Sequence, residues 1–322
     1  MSGISGIVSA VNLTDGVDEV NTIWVSINKN GGEQLVKCSP LNMGMRYIPV
    51  KGELVYLIQA ATPFGSGGAT TGVYYYLSPV GVHRNVNHNA FPGLTTLEGE
   101  VAPNYSNVSA GVPNSNSTSN QNNDFGNGFV EVTNSPSLQP FLGDTIFEGR
   151  YGQSIRFGYT PQGISVGNNS ISAVSKSPTW SSTKPESPIT IIRNGTTTAG
   201  GYNKFIVEDI NKDVSSIWLT DQQKVNITLS STLPLGITPA TLWTKPQVIL
   251  NSDRIVINSK KDNIILASKK DIVVTTAANT TTIDKIIEAI TILAQGLYPT
   301  AVGPTGPHPQ IAQIIAKLKQ GI

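Results

Sequence analysis

Cysteine, histidine and charge are all scarce in this chain, and each scarcity closes off a class of function. There is one cysteine, Cys38, in 322 residues. No disulfide within the chain can staple the fold, so its stability has to come from packing and association. Cys38 lies in LVKCSP after a strand-like run, where the expected role is that of a small buried hydrophobe. The three histidines are His83, His88 and His308. His83 and His88 share the stretch VHRNVNHN with no cysteine nearby, which falls short of a zinc ligand set. Neither a metal nor a cofactor is expected. Charged residues make up 13% of the chain and the formal net charge is +1, which argues against a polyanionic partner such as nucleic acid. No apolar run reaches the length of a membrane span, and MSGISGIVSAV carries no basic leader, so the expectation is synthesis and assembly in the cytosol.

The inventory for catalysis is equally thin. Paired carboxylates for glycoside hydrolysis require a cleft and an acid of raised pKa. Glu98 and Glu100 border a polar stretch, and Glu148 alternates with Arg150 along one strand, where a surface ion pair is expected. No glycine-rich loop leads from a strand into a helix, so a phosphate cradle is unsupported. No catalytic residue is assigned, and the expectation is a protein that is not an enzyme.

What the chain has in quantity is turn-formers, with 31 glycines and 20 prolines, and long helical periodicity is absent until the last forty or so residues. This is the composition of an all-β protein. Within residues 1–99 the strand candidates are Ile4–Val11, Thr22–Ile27, Gln34–Lys37, Leu54–Ala60 and Gly72–Tyr76. Five short strands in that length suit a small OB-fold-like barrel. The turn IPVKGELV is expected to lead into a strand that buries Leu54 and Tyr56 on one face. Residues 100–142 are rich in Asn, Ser, Thr, Gly and Pro and read as a polar linker, because such a segment buries too little to offset its ordering entropy. Residues 143–246 resume as a β-rich domain, opening with a tight hairpin that turns near Tyr151-Gly152.

Residues 247–281 carry the strongest pattern. Ser-Lys-Lys-Asp occurs at Ser259–Asp262 and again nine residues on at Ser268–Asp271, with a degenerate Asn251-Ser252-Asp253 before them. Between these turns lie Val248-Ile249-Leu250, Ile255-Val256-Ile257, Ile264-Ile265-Leu266 and Ile272-Val273-Val274. Short β-branched runs punctuated at a near-constant period are the signature of a stacked β-array. One chain's worth cannot bury a core, so the strands are expected to stack on other copies as an intertwined β-helix or β-prism rod. Val248, Ile255, Ile257, Ile265, Leu266 and Val273 are the expected core positions. In residues 282–322 a helical hairpin is expected. Ile283, Ile286, Ile290, Leu293 and Leu297 fall at spacings of three and four, a heptad seam whose isoleucines favour three strands, and Ile311–Leu318 mark a second short helix. A homotrimer follows, with Ile283, Ile286, Ile290 and Leu293 in its coiled-coil interface.

Three stretches then carry a resemblance. They are Tyr74–Leu77 through His88–Pro92; Gly143–Gly158, GDTIFEGRYGQSIRFG; and Pro188–Gly195 followed by Val207–Asp213 and Ser216–Thr220. These resemble the central spike proteins of contractile-tailed phage baseplates, in which a small barrel precedes a trimeric β-helix. The resemblance spans residues 1–276 or so and implies a structural virion protein of the baseplate hub. It implies partners among hub and tail-tube proteins, and a small spike-tip protein at the C-terminal end. The inferred role is transmission of contraction force and penetration of the host envelope. Some members carry a lysozyme domain between barrel and rod; here the polar linker occupies that place, so no lytic activity is implied. One rival is a receptor-binding fibre or tailspike recognising a host glycan, but Trp180, Trp218 and Trp243 are too scattered to mark a sugar groove. The other is a single-strand nucleic-acid binder, which needs a basic groove with stacking aromatics. The first 80 residues offer few Lys or Arg, and Tyr74–Tyr76 place at most two rings on one face.

Overall fold

The computed structural model describes residues 3–13, 21–29, 31–42, 47–60, 73–79, 135–167, 174–184, 186–197, 205–230, 237–276, 280–295, 298–300 and 303–305. His83, His88, His308, the linker up to residue 134 and the second C-terminal helix lie outside these residues. The described elements are almost all strands, with one short helix. No helix among them is long and apolar enough to cross a membrane.

The N-terminal strands close a barrel. They are β1 (Gly3–Val11), β2 (Ile23–Lys29), β3 (Gly32–Pro40), β4 (Leu54–Ala60) and β5 (Val73–Pro79), in the order β1-β2-β3-β5-β4. Every pairing is antiparallel except β3 with β5. Alternation with period two puts Val8, Ile23, Val25, Ile27, Val36, Cys38, Val55, Leu57, Tyr74 and Tyr76 into one core. Cys38 is a free, buried thiol whose pKa burial pushes up to about 12. The hairpin joining β2 to β3 passes through Gly31, whose φ of 81° suits a residue without a Cβ.

The β4 parity is opposite to the one expected. Val55 and Leu57 enter the core, and Tyr56 is exposed. Glu53, two residues before Val55, is itself turned inward, where its carboxylate accepts from the Val50 amide at 2.7 Å. That inward turn sets the parity of the strand that follows, and a one-residue shift reverses every side chain.

Beyond the barrel come β6 (Thr145–Glu148), β7 (Gln153–Tyr159), β8 (Trp180–Ser181), β9 (Pro188–Thr196), β10 (Asp213–Thr220), β11 (Lys224–Val225) and β12 (Gln247–Ser252). Five of them form a sheet in the order β12-β10-β9-β7-β6, and β8 pairs with β11. The expected hairpin turn is present, with Gly149 donating to the Gln153 carbonyl and Gly152 to that of Gly149. The chain divides into two compact units. The first is Met1–Arg156 with Gly163–Ser177 and Ile192–Glu208; the second is Phe157–Gln162 with Pro178–Ile191 and Asp209–Ile322. At the C-terminal end, β13 (Val273–Thr275) pairs with β14 (Thr280–Thr282), and α1 (Ile283–Gln295) follows at once. The Thr282 hydroxyl accepts from the Lys285 amide at 3.2 Å, capping the helix start. A small hairpin joins β15 (Tyr298–Thr300) to β16 (Gly303–Thr305).

Candidate assembly surface

In the first unit, the turn before β4 builds a clamp. Lys51-Gly52 brings Glu53 back under Val50, and Arg150 reaches both carboxylate oxygens of Glu53 from 97 residues away, at 2.5 and 2.6 Å. The Arg150 guanidinium lies 5.0 Å over the Tyr47 ring. Both partners of the ion pair are largely shielded from water. Burial raises the Tyr47 hydroxyl above its ordinary pKa, against the opposing charge of Arg150. Of the two members of the expected surface pair, Arg150 bonds Glu53 and Glu148 accepts from the Leu138 amide at 2.8 Å, and both are half-buried. Strand alternation put the two charges on one face but carried no information about partners remote in the sequence.

A second buried cluster centres on Arg156. Its Nε donates to Glu208 Oε1 at 2.7 Å, its Nη1 to Asp144 Oδ2, and its Nη2 to the Gln139 carbonyl at 2.8 Å. The guanidinium stands over the Phe141 ring at 5.4 Å. Asp144 also accepts from the Phe141 amide, and burial raises its carboxyl above the usual range even though that amide and Arg156 oppose the shift. Residues 135–142 were grouped with the polar linker, yet Ser135, Ser137, Leu138, Gln139 and Phe141 are buried here. Their polar atoms are satisfied: the Gln139 side chain accepts from the Ser175 amide, and Ser135 donates to the Arg150 carbonyl. Glu53 and Glu208 each bond an arginine, so these clusters read as joints of the fold. Among the described residues, no group of three His, Cys, Asp or Glu side chains is placed to hold a metal.

In the second unit, Trp180 and Trp218 meet edge to face with ring centroids 5.8 Å apart. Trp180 donates to the Tyr159 carbonyl, Trp218 to Ser216, and Gln223 to the Ser187 carbonyl. Two of the three scattered tryptophans are therefore core residues and not a sugar platform. The opposite face of β10 and β12 is different. Ile217 stands across from Leu250, and Leu219 across from Val248. All four are exposed, Val248 to 66%. β12 is also the edge of its sheet.

From there the chain runs through residues 254–271, which join no ladder among the described residues. Every residue from Ser252 to Asp271 is exposed, including Ile255, Val256, Ile257, Ile264, Ile265 (84%) and Leu266. Local bonds explain the repeated Ser-Lys-Lys-Asp. The Ser259 hydroxyl accepts from the Asp262 amide and the Ser268 hydroxyl from the Lys270 amide, so each serine closes a turn on its own backbone. Of the expected interface residues, Val248, Ile255, Ile257, Ile265 and Leu266 are exposed, and Val273 is half-buried in the β13–β14 hairpin. On α1, Ile283 and Ile286 are exposed and Ile290 is half-buried; the Leu293 side chain lies outside the described part of the helix. The chain therefore presents an apolar strip, punctuated by turns, that no other described residue covers. The pairing of Ile217 and Leu219 with β12 was not read from the sequence; their alternation with Trp218 shows only that the two share the face opposite to it. Comparison with known protein families, curated proteins and solved structures returned no match.

Proposed function

We propose that this chain is a structural, non-enzymatic virion protein, the homotrimeric central spike of a contractile phage tail baseplate. In this reading the barrels form a platform bound to hub and tail-tube proteins. The C-terminal part forms an intertwined β-rod that carries axial force into the host envelope. The observation that carries the proposal is the uncovered repeat at residues 254–271. An apolar side chain left in water forgoes about 1.5–3 kcal/mol relative to burial. Six such side chains per chain forgo on the order of 10 kcal/mol. A covering partner needs strands of the same nine-residue period, and another copy of this chain supplies them. Three interwound copies share their backbone bonds, so no single strand can peel away under load. The seam of α1, exposed at Ile283 and Ile286, fits a three-helix continuation of the same axis.

The test is the solution mass of the full chain by light scattering, beside that of a chain ending at Ala277. A trimer for both shows that the α1 seam is not required and supports association through the β-repeat. Aspartate substitutions in the repeat then separate this from association through the barrel. A monomer for both ends the spike reading.

A further inference from the structure

Repeated strands pose a register problem that the repeat cannot solve by itself. Residues 255, 256 and 257 are Ile, Val and Ile; nine residues on, 264, 265 and 266 are Ile, Ile and Leu. The turns Ser259–Asp262 and Ser268–Asp271 are identical. A copy displaced by one repeat meets apolar with apolar and turn with turn, so the slipped assembly costs little. A rod built from such strands needs a non-repeating contact to fix its start.

We infer that the exposed face of β10 and β12, formed by Ile217, Leu219, Val248 and Leu250, is covered by other copies of this chain and sets their register. This rests on the trimeric reading above. The face is uncharged, and its four side chains pair directly across the two strands. It leads without a break into the repeat. From Leu250 to Ile255 is five residues, at most about 17 Å of chain. A copy seated on Ile255–Ile257 is thus already close to Leu250, and the free edge of β12 offers it a ladder. Unlike the repeat, this face occurs once per chain, so it matches a neighbour in one register alone.

The test uses the full chain throughout. The first arm places a thiol by Val248→Cys; the native Cys38 is buried and gives little background. In the assembled trimer that thiol should react with maleimide about tenfold or more slowly than one introduced by Lys184→Cys on the exposed surface. The second arm mixes chains carrying Ile257→Cys with chains carrying Leu266→Cys, expected core positions one repeat apart. With an intact sheet face, cross-links should form between like chains only. With Leu219→Asn and Leu250→Asn added, the mixed cross-link between positions 257 and 266 should appear. A trimer whose Val248→Cys thiol reacts as fast as the surface control overturns the inference, and so does a doubly substituted trimer that cross-links only like with like. If the double substitution prevents folding, the labelling arm decides alone. A full chain that is monomeric fails the spike reading itself, a result separate from either of these.

Discussion

Gly6 shows how little freedom one position can have. A Cβ built there would lie 2.5 Å from Val25 Cγ1 and 2.7 Å from both Ile27 Cγ2 and the Ser26 carbonyl oxygen. One of those contacts is backbone, so a rotamer change cannot relieve the clash. Gly6→Ala should therefore destabilise the barrel by about 1–3 kcal/mol or more through overpacking. Denaturant titration of the full chain reads this, and an unchanged midpoint would show that β1 and β2 lie farther apart. Asp144 makes the second prediction at this scale. Burial raises its folded-state pKa above the unfolded 3.8, so the native state binds the proton more readily. The cost of keeping it charged is fully present above the folded-state pKa and fades as pH falls toward 3.8. This group therefore makes the protein more stable on mild acidification. Asp144→Asn should flatten the dependence of the melting temperature on pH in that window, whatever it does to the absolute value. An unaltered slope would assign the pH dependence to other groups.

Among elements, the clamp of Glu53 on Arg150 ties the turn before β4 to the β6–β7 hairpin across the whole polar stretch between them. Removing one member of a buried pair leaves the other charged and shielded, at a cost of about 3–5 kcal/mol. Glu53→Ala and Arg150→Ala should each destabilise strongly, while the double substitution should cost much less than the sum. Additive effects in that cycle would mean the pair is not coupled. The clamp also marks where sequence reasoning stopped. The barrel strands were legible because alternation is local, as in Ile23, Val25 and Ile27. The parity of β4 was not, because it depends on where the Glu53 carboxylate goes, and that carboxylate answers to an arginine 97 residues away. Likewise Ser135–Gln139 read as linker by composition, yet they are buried because their polar groups find partners in the fold. The nine-residue period of the Ser-Lys-Lys-Asp turns is written in the chain, yet the apolar runs between those turns join no ladder among the described residues.

For the whole molecule, the decisive contrast is between a repeat that trails in water and one that is covered by other copies. The two readings give Ile265→Asp together with Ile257→Asp opposite consequences. On a trailing segment, replacing exposed isoleucines with aspartate changes folding stability by no more than about 0.5 kcal/mol, and lowering the apolar surface favours solubility. In an assembled trimer the same changes place six carboxylates around one axis in a region closed to water. Each of these loses hydration without gaining a partner, so the rod should fail to assemble. The barrel, with its own closed core from Val8 to Tyr76, should keep its fold in either case. Light scattering of the doubly substituted full chain, with circular dichroism to confirm that the strands persist, separates the two. Loss of the trimer with retained β-structure places association in the repeat. A trimer that survives both aspartates locates it on the barrel or on α1, and Ile286→Asp with Ile290→Asp then tests the helix by abolishing whatever trimer the C-terminal seam supports.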